Sequence, residues 1–153
     1  LYKKDFFGGK GVWIKSVRFN GLSEPLLSND LAELITEARE HGVIDTFITT
    51  NAMLLNKETS RKLITSGLNH ILVSIDGSTA KTYEKIRVGA HYPTVVENLY
   101  GLLEEREKLG SKLPLIRLTF VKMKINEHEI NEFVENWINI VDYIGIAGYL
   151  ISI

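Results

Sequence analysis

Short β-branched apolar runs alternate along this chain with longer stretches whose apolar residues recur at helical spacing, and this alternation restricts the fold more than any other feature. The first run is Val12-Trp13-Ile14-Lys15-Ser16-Val17-Arg18-Phe19. After a turn, Leu31, Leu34, Ile35 and Ala38 fall at i, i+3, i+4 and i+7, so a helix follows the strand. Ser28 or Asn29 is placed to cap that helix, and Gly42 to take the left-handed conformation at its end. The second unit repeats the pattern with strand Thr46 to Thr49, cap Asn56, a helix from Lys57 to Ser66 that turns Leu63 and Ile64 inward, and Gly67 as its stop. Strand Ile71 to Ile75 leads into a longer crossover. It holds a short helix from Thr79 to Ile86 and a second from Thr94 to Leu109, with Val95, Leu99, Leu102, Leu103 and Arg106 on related faces and Gly110 as terminator. Pro114 precedes strand Leu115 to Val121. Asn126 and Glu129 have the spacing of a capping box, ahead of an apolar stripe of Ile130, Phe133, Val134, Trp137 and Ile138. A fifth strand spans Tyr143 to Ile146.

Strand starts recur roughly every 25 to 34 residues outside the long crossover, near the ~30 of one βα unit. Right-handed crossovers on a parallel sheet then leave two architectures, a doubly wound open sheet or part of a βα barrel. No low-complexity segment or linker divides residues 1–153, which read as a single domain. The chain begins at Leu1 and stops inside the apolar stretch Tyr149-Leu150-Ile151-Ser152-Ile153, so it reads as a piece of something longer.

Composition removes several function classes. No apolar run approaches the ~20 residues of a membrane-spanning helix, and Leu1-Tyr2-Lys3-Lys4-Asp5 lacks a signal peptide's hydrophobic stretch, so a cytoplasmic protein with no membrane partner is expected. Eighteen basic residues against 19 acidic ones give a net charge of -1, which offers no basic face for nucleic acid. With no cysteine there is no disulfide, no thiol nucleophile, and no thiolate for zinc or an iron–sulfur cluster.

In parallel βα folds the loops after the strands converge on one rim, so the residues that end each run are the ones that can share a site. Here they are Asn20-Gly21-Leu22-Ser23-Glu24-Pro25, Thr50-Asn51-Ala52 and Ser74-Ile75-Asp76-Gly77. Asn, Ser, Asp and Gly populate turns by habit, and Asp76 or Ser78 in that reading caps the next helix. Glu24 is not a turn former, Pro25 fixes the backbone beside it, and Arg87 follows the short helix with a rigid donor fork suited to an anion.

These residues resemble the radical S-adenosylmethionine (SAM) enzymes, particularly those with a C-terminal auxiliary-cluster (SPASM) domain. Phe19 to Leu27 is similar to the family's glycine-rich loop ending in Gly-Glu-Pro, Thr50-Asn51-Ala52 to its Thr-Asn-Gly turn, Val73 to Gly77 to its Ser-x-Asp strand end, and Tyr83 through Arg87 to Gly89 to its Tyr-x-x-x-Arg-x-Gly segment. The resemblance implies an α/β fold, a partial (β/α) barrel of parallel strands truncated at its N-terminus and spanning the second to sixth strand units. It also implies an oxidoreductase that reductively cleaves SAM at a 4Fe-4S cluster to modify a small-molecule or peptide substrate. Gly21, Ser23 and Glu24 would then lie against the SAM amino group, Ser74 and Arg87 would hold its carboxylate, and Asn51 and Asp76 would line or support the pocket. A zwitterionic head group needs opposite charges, and Glu24 and Arg87 supply them.

The sequence departs from the family pattern in three places. Ser23 and Ala52 stand where the family has Gly, so a left-handed backbone at either costs about 1 kcal/mol or more. The Cys-x-x-x-Cys-x-x-Cys loop after the first strand is absent, so the cluster's ligands lie outside these residues and the piece alone is expected to be inactive. With the first strand missing as well, the Val12 to Phe19 edge is expected to self-associate or to pair with a neighbouring segment. Two rival readings do without the cluster: a nucleotide- or phosphate-binding α/β module, and a structural assembly domain.

Other signals carry less. Gly8-Gly9-Lys10-Gly11 lacks the Walker spacing and precedes a strand. His41, His70, His91 and His128 have no i, i+3 or i, i+4 partner among themselves and suit helix ends or the surface better than a metal. Glu104-Glu105-Arg106-Glu107-Lys108 reads as a solvated helix face, and Trp13, Trp137, Tyr83 and Tyr92 as packing residues.

Overall fold

The structure, a computed structural model, describes residues 14–21 and 23–148. The segment Gly8-Gly9-Lys10-Gly11, Val12, Trp13, Leu22 and the apolar stretch from Tyr149 lie outside the described residues. Five strands, β1 (Ser16–Arg18), β2 (Asp45–Thr50), β3 (His70–Ser74), β4 (Leu115–Val121) and β5 (Tyr143–Ala147), alternate with helices α1 (Leu31–Glu40), α2 (Lys57–Thr65), α3 (Ala80–Ile86), α4 (Tyr92–Lys108) and α5 (Ile130–Trp137). Short 3-10 turns cover Pro25–Leu27 and Glu127–Glu129.

The strands are all parallel and lie side by side in chain order. An order that never reverses sends every right-handed crossover to the same side, which settles the architecture that periodicity leaves open. Burial agrees. Ile48, Ile71, Val73, Ile116, Leu118 and Phe120 point to one face and are fully buried with Ile35, Leu63, Leu99, Leu102 and Phe133 of the helices. The alternate residues Phe47, His70 and Leu72 are only half-buried and Arg117 is exposed. A doubly wound sheet buries both faces. This sheet is the wall of a partial (β/α) barrel, with helices outside and an inner face that mixes polar and apolar side chains.

Most of the element boundaries follow the sequence reading. Asn56 Oδ1 accepts from the Thr59 N–H at 2.9 Å, and Gly42 and Gly67 end their helices at φ 86° and 82°. Four expectations need correction. Neither Ser28 nor Asn29 caps α1: Asp30 holds the cap position without a side-chain bond, because Ser28 closes the preceding 3-10 turn with its N–H on the Pro25 carbonyl. Helix α4 begins at Tyr92, two residues earlier than expected, because Pro93 fits a first helical turn whose N–H groups need no partner. Ile138 lies past the end of α5 and is 54% exposed. Asn126 and Glu129 do not form a capping box, since both side chains are drawn into the rim described below.

Candidate functional site at the strand ends

The loop after β1 is tied to β2 by side chains that imitate a strand. Phe19 N–H bonds the Phe47 carbonyl at 2.8 Å, and Asn20 pairs both ways with the Thr49 backbone at 3.0 Å each, so pairing continues past the last residue of β1. Gly21 and Ser23 follow, both exposed, with Gly21 outside the left-handed region.

Glu24 then turns its carboxylate back onto the end of β2. Oε1 accepts from the Leu26 N–H at 3.3 Å and from the Thr50 hydroxyl, and Oε2 accepts from the Asn51 N–H at 2.9 Å. Thr50, nearly fully buried, also accepts from the Ala52 N–H at 3.0 Å. Ala52 adopts φ 60°, so the expected cost of alanine in the left-handed region is incurred at this position. Its carbonyl is held at 2.8 Å by Asn98 Nδ2 from α4, and Asn51 Oδ1 accepts from Met53 N–H at 2.9 Å, which together fix the turn.

The second half of the rim is built on Asp76, which is 4% exposed. Its Oδ2 takes Arg87 Nε at 2.8 Å and Nη2 at 2.6 Å, and its Oδ1 accepts from the Val121 N–H at 2.8 Å. Asp76 is therefore not a helix cap, nor is Ser78; Thr79 caps α3 by accepting from Thr82 N–H. Only glycine fits at position 77, because a Cβ there would come within 2.9 Å of the Tyr83 nitrogen. Asn126, fully buried, donates Nδ2 to the carbonyls of Asp76 and Val121 at 3.0 and 2.9 Å and accepts from Met123 N–H. Glu129 accepts from the N–H groups of Ser78 and Thr79 and from the hydroxyls of Thr79 and Thr82. Burial alone would raise Glu129, but these donors hold its carboxyl below the ordinary carboxylate value.

Glu24, Asn51, Ser74, Asp76 and Arg87 thus share one end of the sheet. Thr50 lies in register with Val73 and Ser74 with Thr119, so the residues that follow each strand occupy adjacent positions along the rim. The Asp76–Arg87 pair is neutral as a unit and leaves Nη1 outside it, while the Glu24 carboxylate, among the described residues, is held by neutral donors alone. Such a rim can take a cation at Glu24 and an oxyanion at Arg87 and the Ser74 hydroxyl.

Tyr83 and Tyr92 pack together with ring centroids 5.4 Å apart. Burial pushes the Tyr83 phenol up, and burial with Glu129 and Glu132 nearby pushes Tyr92 up to about 12. The four histidines serve locally, as in the contact of His70 Nε2 with Asp45 at 2.9 Å, and among the described residues no group of three His, Cys, Asp or Glu side chains is placed to hold a metal. Asn20, Thr50, Asn98, Asn126 and Glu129 are site-building residues that the sequence reading missed as such. Asn98 had a signal, an amide on the same inward stripe of α4 as Val95 and Leu102.

Comparison with known proteins points the same way. The Radical SAM superfamily model matches residues 19–136. A "Probable GTP 3',8-cyclase" of Saccharolobus islandicus is 32% identical over 126 residues, 82% of this chain and 38% of that protein. Its counterpart from Methanocaldococcus jannaschii is 27% identical over 122 residues, 80% of this chain and again 38% of the relative. Among solved structures, Streptococcus suis SuiB bound to S-adenosylmethionine superposes with a TM-score of 0.69 at 27% identity, covering 88% of this chain and 29% of SuiB. SuiB bound to precursor peptide SuiA gives 0.69 at 26%, covering 88% and 28%. The chain spans well under half the length of each of these relatives.

Proposed function

This chain belongs to the radical SAM superfamily and is structurally close to a SPASM-type member, SuiB, and on that premise we propose that its rim holds the amino acid head group of SAM within a longer enzyme. The observation that carries the reading is the pairing of an acid, Glu24, and a guanidinium, Arg87, on one end of one sheet, each fixed by neighbours on a different strand. Glu24 accepts the ammonium. The Ser74 hydroxyl and Arg87 Nη1 donate to the carboxylate, Asp76 holds Arg87 in position, and Asn51 offers its amide nitrogen beside Glu24. A 4Fe-4S cluster beside this rim would supply the electron that reductively cleaves the sulfonium of SAM. These residues do not fit the cluster itself, since the sequence has no cysteine, and its ligands belong to residues outside the 153.

The names of the relatives include GTP and a precursor peptide, both within the class of small-molecule or peptide substrates that the reading assigns to the parent enzyme. Among the described residues no helix is long and apolar enough to cross a membrane. The test is SAM binding and 5'-deoxyadenosine formation by the reconstituted full-length protein under reduction. Wild type forms the nucleoside, and Glu24→Gln and Arg87→Ala each weaken SAM binding about tenfold or more. Wild type without SAM affinity, or variants that bind SAM as wild type does, overturns the reading.

A further inference from the structure

The inner face of the sheet carries a second, deeper collection of charge. Strand register places Arg18, Phe47, His70 and Leu115 in one row across β1 to β4, with Leu72, Arg117 and Tyr143 in the row above. These side chains, with Ile144, line a cavity of about 370 Å³. Ser74 lies one row higher again, so Arg117 sits roughly 7 Å along the strands beneath the rim.

Among the described residues no carboxylate forms an ion pair with Arg18 or Arg117, whereas Arg39, Arg87 and Arg106 all bond carbonyls or carboxylates. Asp45, the acid on the same face, is taken by His70 Nε2. Arg18 lies over the Phe47 ring at 5.6 Å, and Phe47 is stacked on His70 at 4.3 Å with the planes 7° apart, which leaves the guanidinium beside a flat apolar platform. Arg117 is seated by an absence. A Cβ on Gly145 of β5 would come within 2.5 Å of Nη2 and 3.0 Å of Nε, so only glycine lets the fork lie across the neighbouring strand. Two forks beside Leu72, Leu115 and Tyr143 suit a ligand with an oxyanion at one end and an apolar or planar body, because planar donors bind carboxylate and phosphate in bidentate fashion.

We propose that Arg18 and Arg117 form an oxyanion subsite on the inner face of the barrel wall that anchors a carboxylate or phosphate of the substrate beneath the rim. Its role as a substrate site rests on the reading of the rim as a cofactor site; the anion binding is measured apart from it. A ligand tethered at this depth directs the remainder of its body toward Ser74 and Arg87.

The experiment is calorimetric titration of the full-length protein with two probes, tripolyphosphate and succinate, against wild type, Arg117→Gln, Arg18→Gln and Gly145→Ala. Wild type binds at least one probe, and each variant weakens that binding about tenfold. Preference for tripolyphosphate assigns a phosphate-bearing substrate, and preference for succinate a carboxylate-bearing one. Gly145→Ala keeps both charges and displaces only the fork, so its loss reads geometry and not net charge. No affinity of wild type for either probe, or equal affinities across the four proteins, overturns the proposal. SAM titrated into wild type in the same buffer reports on the rim alone: failure there with intact, Arg117-dependent probe binding removes the cofactor reading and leaves the anion site standing.

Discussion

Asn126 donates its side-chain amide to the carbonyl of Asp76 at 3.0 Å across 50 residues of chain, and the same nitrogen reaches the Val121 carbonyl at 2.9 Å. Asp76 in turn carries Arg87. One buried amide after β4 therefore sets the height of the loop after β3, and the guanidinium moves with that loop. Asn126→Ala leaves buried backbone groups unpaired and is expected to lower unfolding free energy by about 2 to 4 kcal/mol. Urea denaturation measures the loss, and a change under about 0.5 kcal/mol means that other groups hold Asp76 in place.

Thr50 is the hinge between Glu24 and the turn that follows β2, donating to one and accepting from the other. Thr50→Val keeps the volume and removes both bonds, so stability falls by about 1 to 3 kcal/mol. Thr50→Ser restores most of it. Comparable melting of the Val and Ser variants would show that the hydroxyl is dispensable.

Ala52 combines a left-handed backbone with complete burial. Glycine at this position relieves about 1 kcal/mol of steric cost and gives up about 0.8 kcal/mol of buried methyl, so Ala52→Gly should melt close to wild type. Ala52→Val adds a β-branch in a region that such residues avoid and should lose more than about 2 kcal/mol. Equal stability of the Gly and Val variants contradicts the assigned backbone.

Acid and alkaline limits have identifiable sources. Glu129 is depressed below its ordinary value by Thr82, Ser78 and Thr79 against the opposing effect of burial, so its contribution is complete above the unfolded carboxylate value of about 4.3 and disappears as pH falls through the lower folded value. Glu129→Gln should flatten the acid limb of a stability–pH profile. Tyr92 is raised to about 12, chiefly by burial, so it supports the fold below its unfolded value of about 10 and withdraws that support as pH rises toward 12. Tyr92→Phe should reduce the decline in that window, and profiles that superpose with wild type would refute either assignment.

Helical and strand periods made most of the scaffold legible in the sequence, because apolar stripes such as Val95, Leu99 and Leu102 report the face that a helix buries. They could not choose between an open sheet and a barrel wall, since that choice lies in the spatial order of strands and not in any one of them. The charged rim residues were visible as polar endings of apolar runs. Asn126 and Glu129 were visible too, yet their spacing matched a local cap while their bonds run to Asp76, Ser78, Thr79 and Thr82 about 50 residues away. Arg117 was hidden differently: inside a strand it reads as the solvent-facing member of an alternating pattern, and only the one-sided placement of the helices turns that face inward.

Glu24 meets its neighbours before it meets any ligand. Three donors, one in the 3-10 turn and two at the end of β2, hold both carboxylate oxygens, so its position is decided as the chain folds. An arriving ammonium finds a preorganised charge and immobilises no new side chain there, which preserves affinity that a floppy acid would forfeit to lost rotamers. The corollary is rigidity: a head group of another length cannot recruit Glu24 by bending it, so discrimination among ligands at this rim begins with fixed spacing.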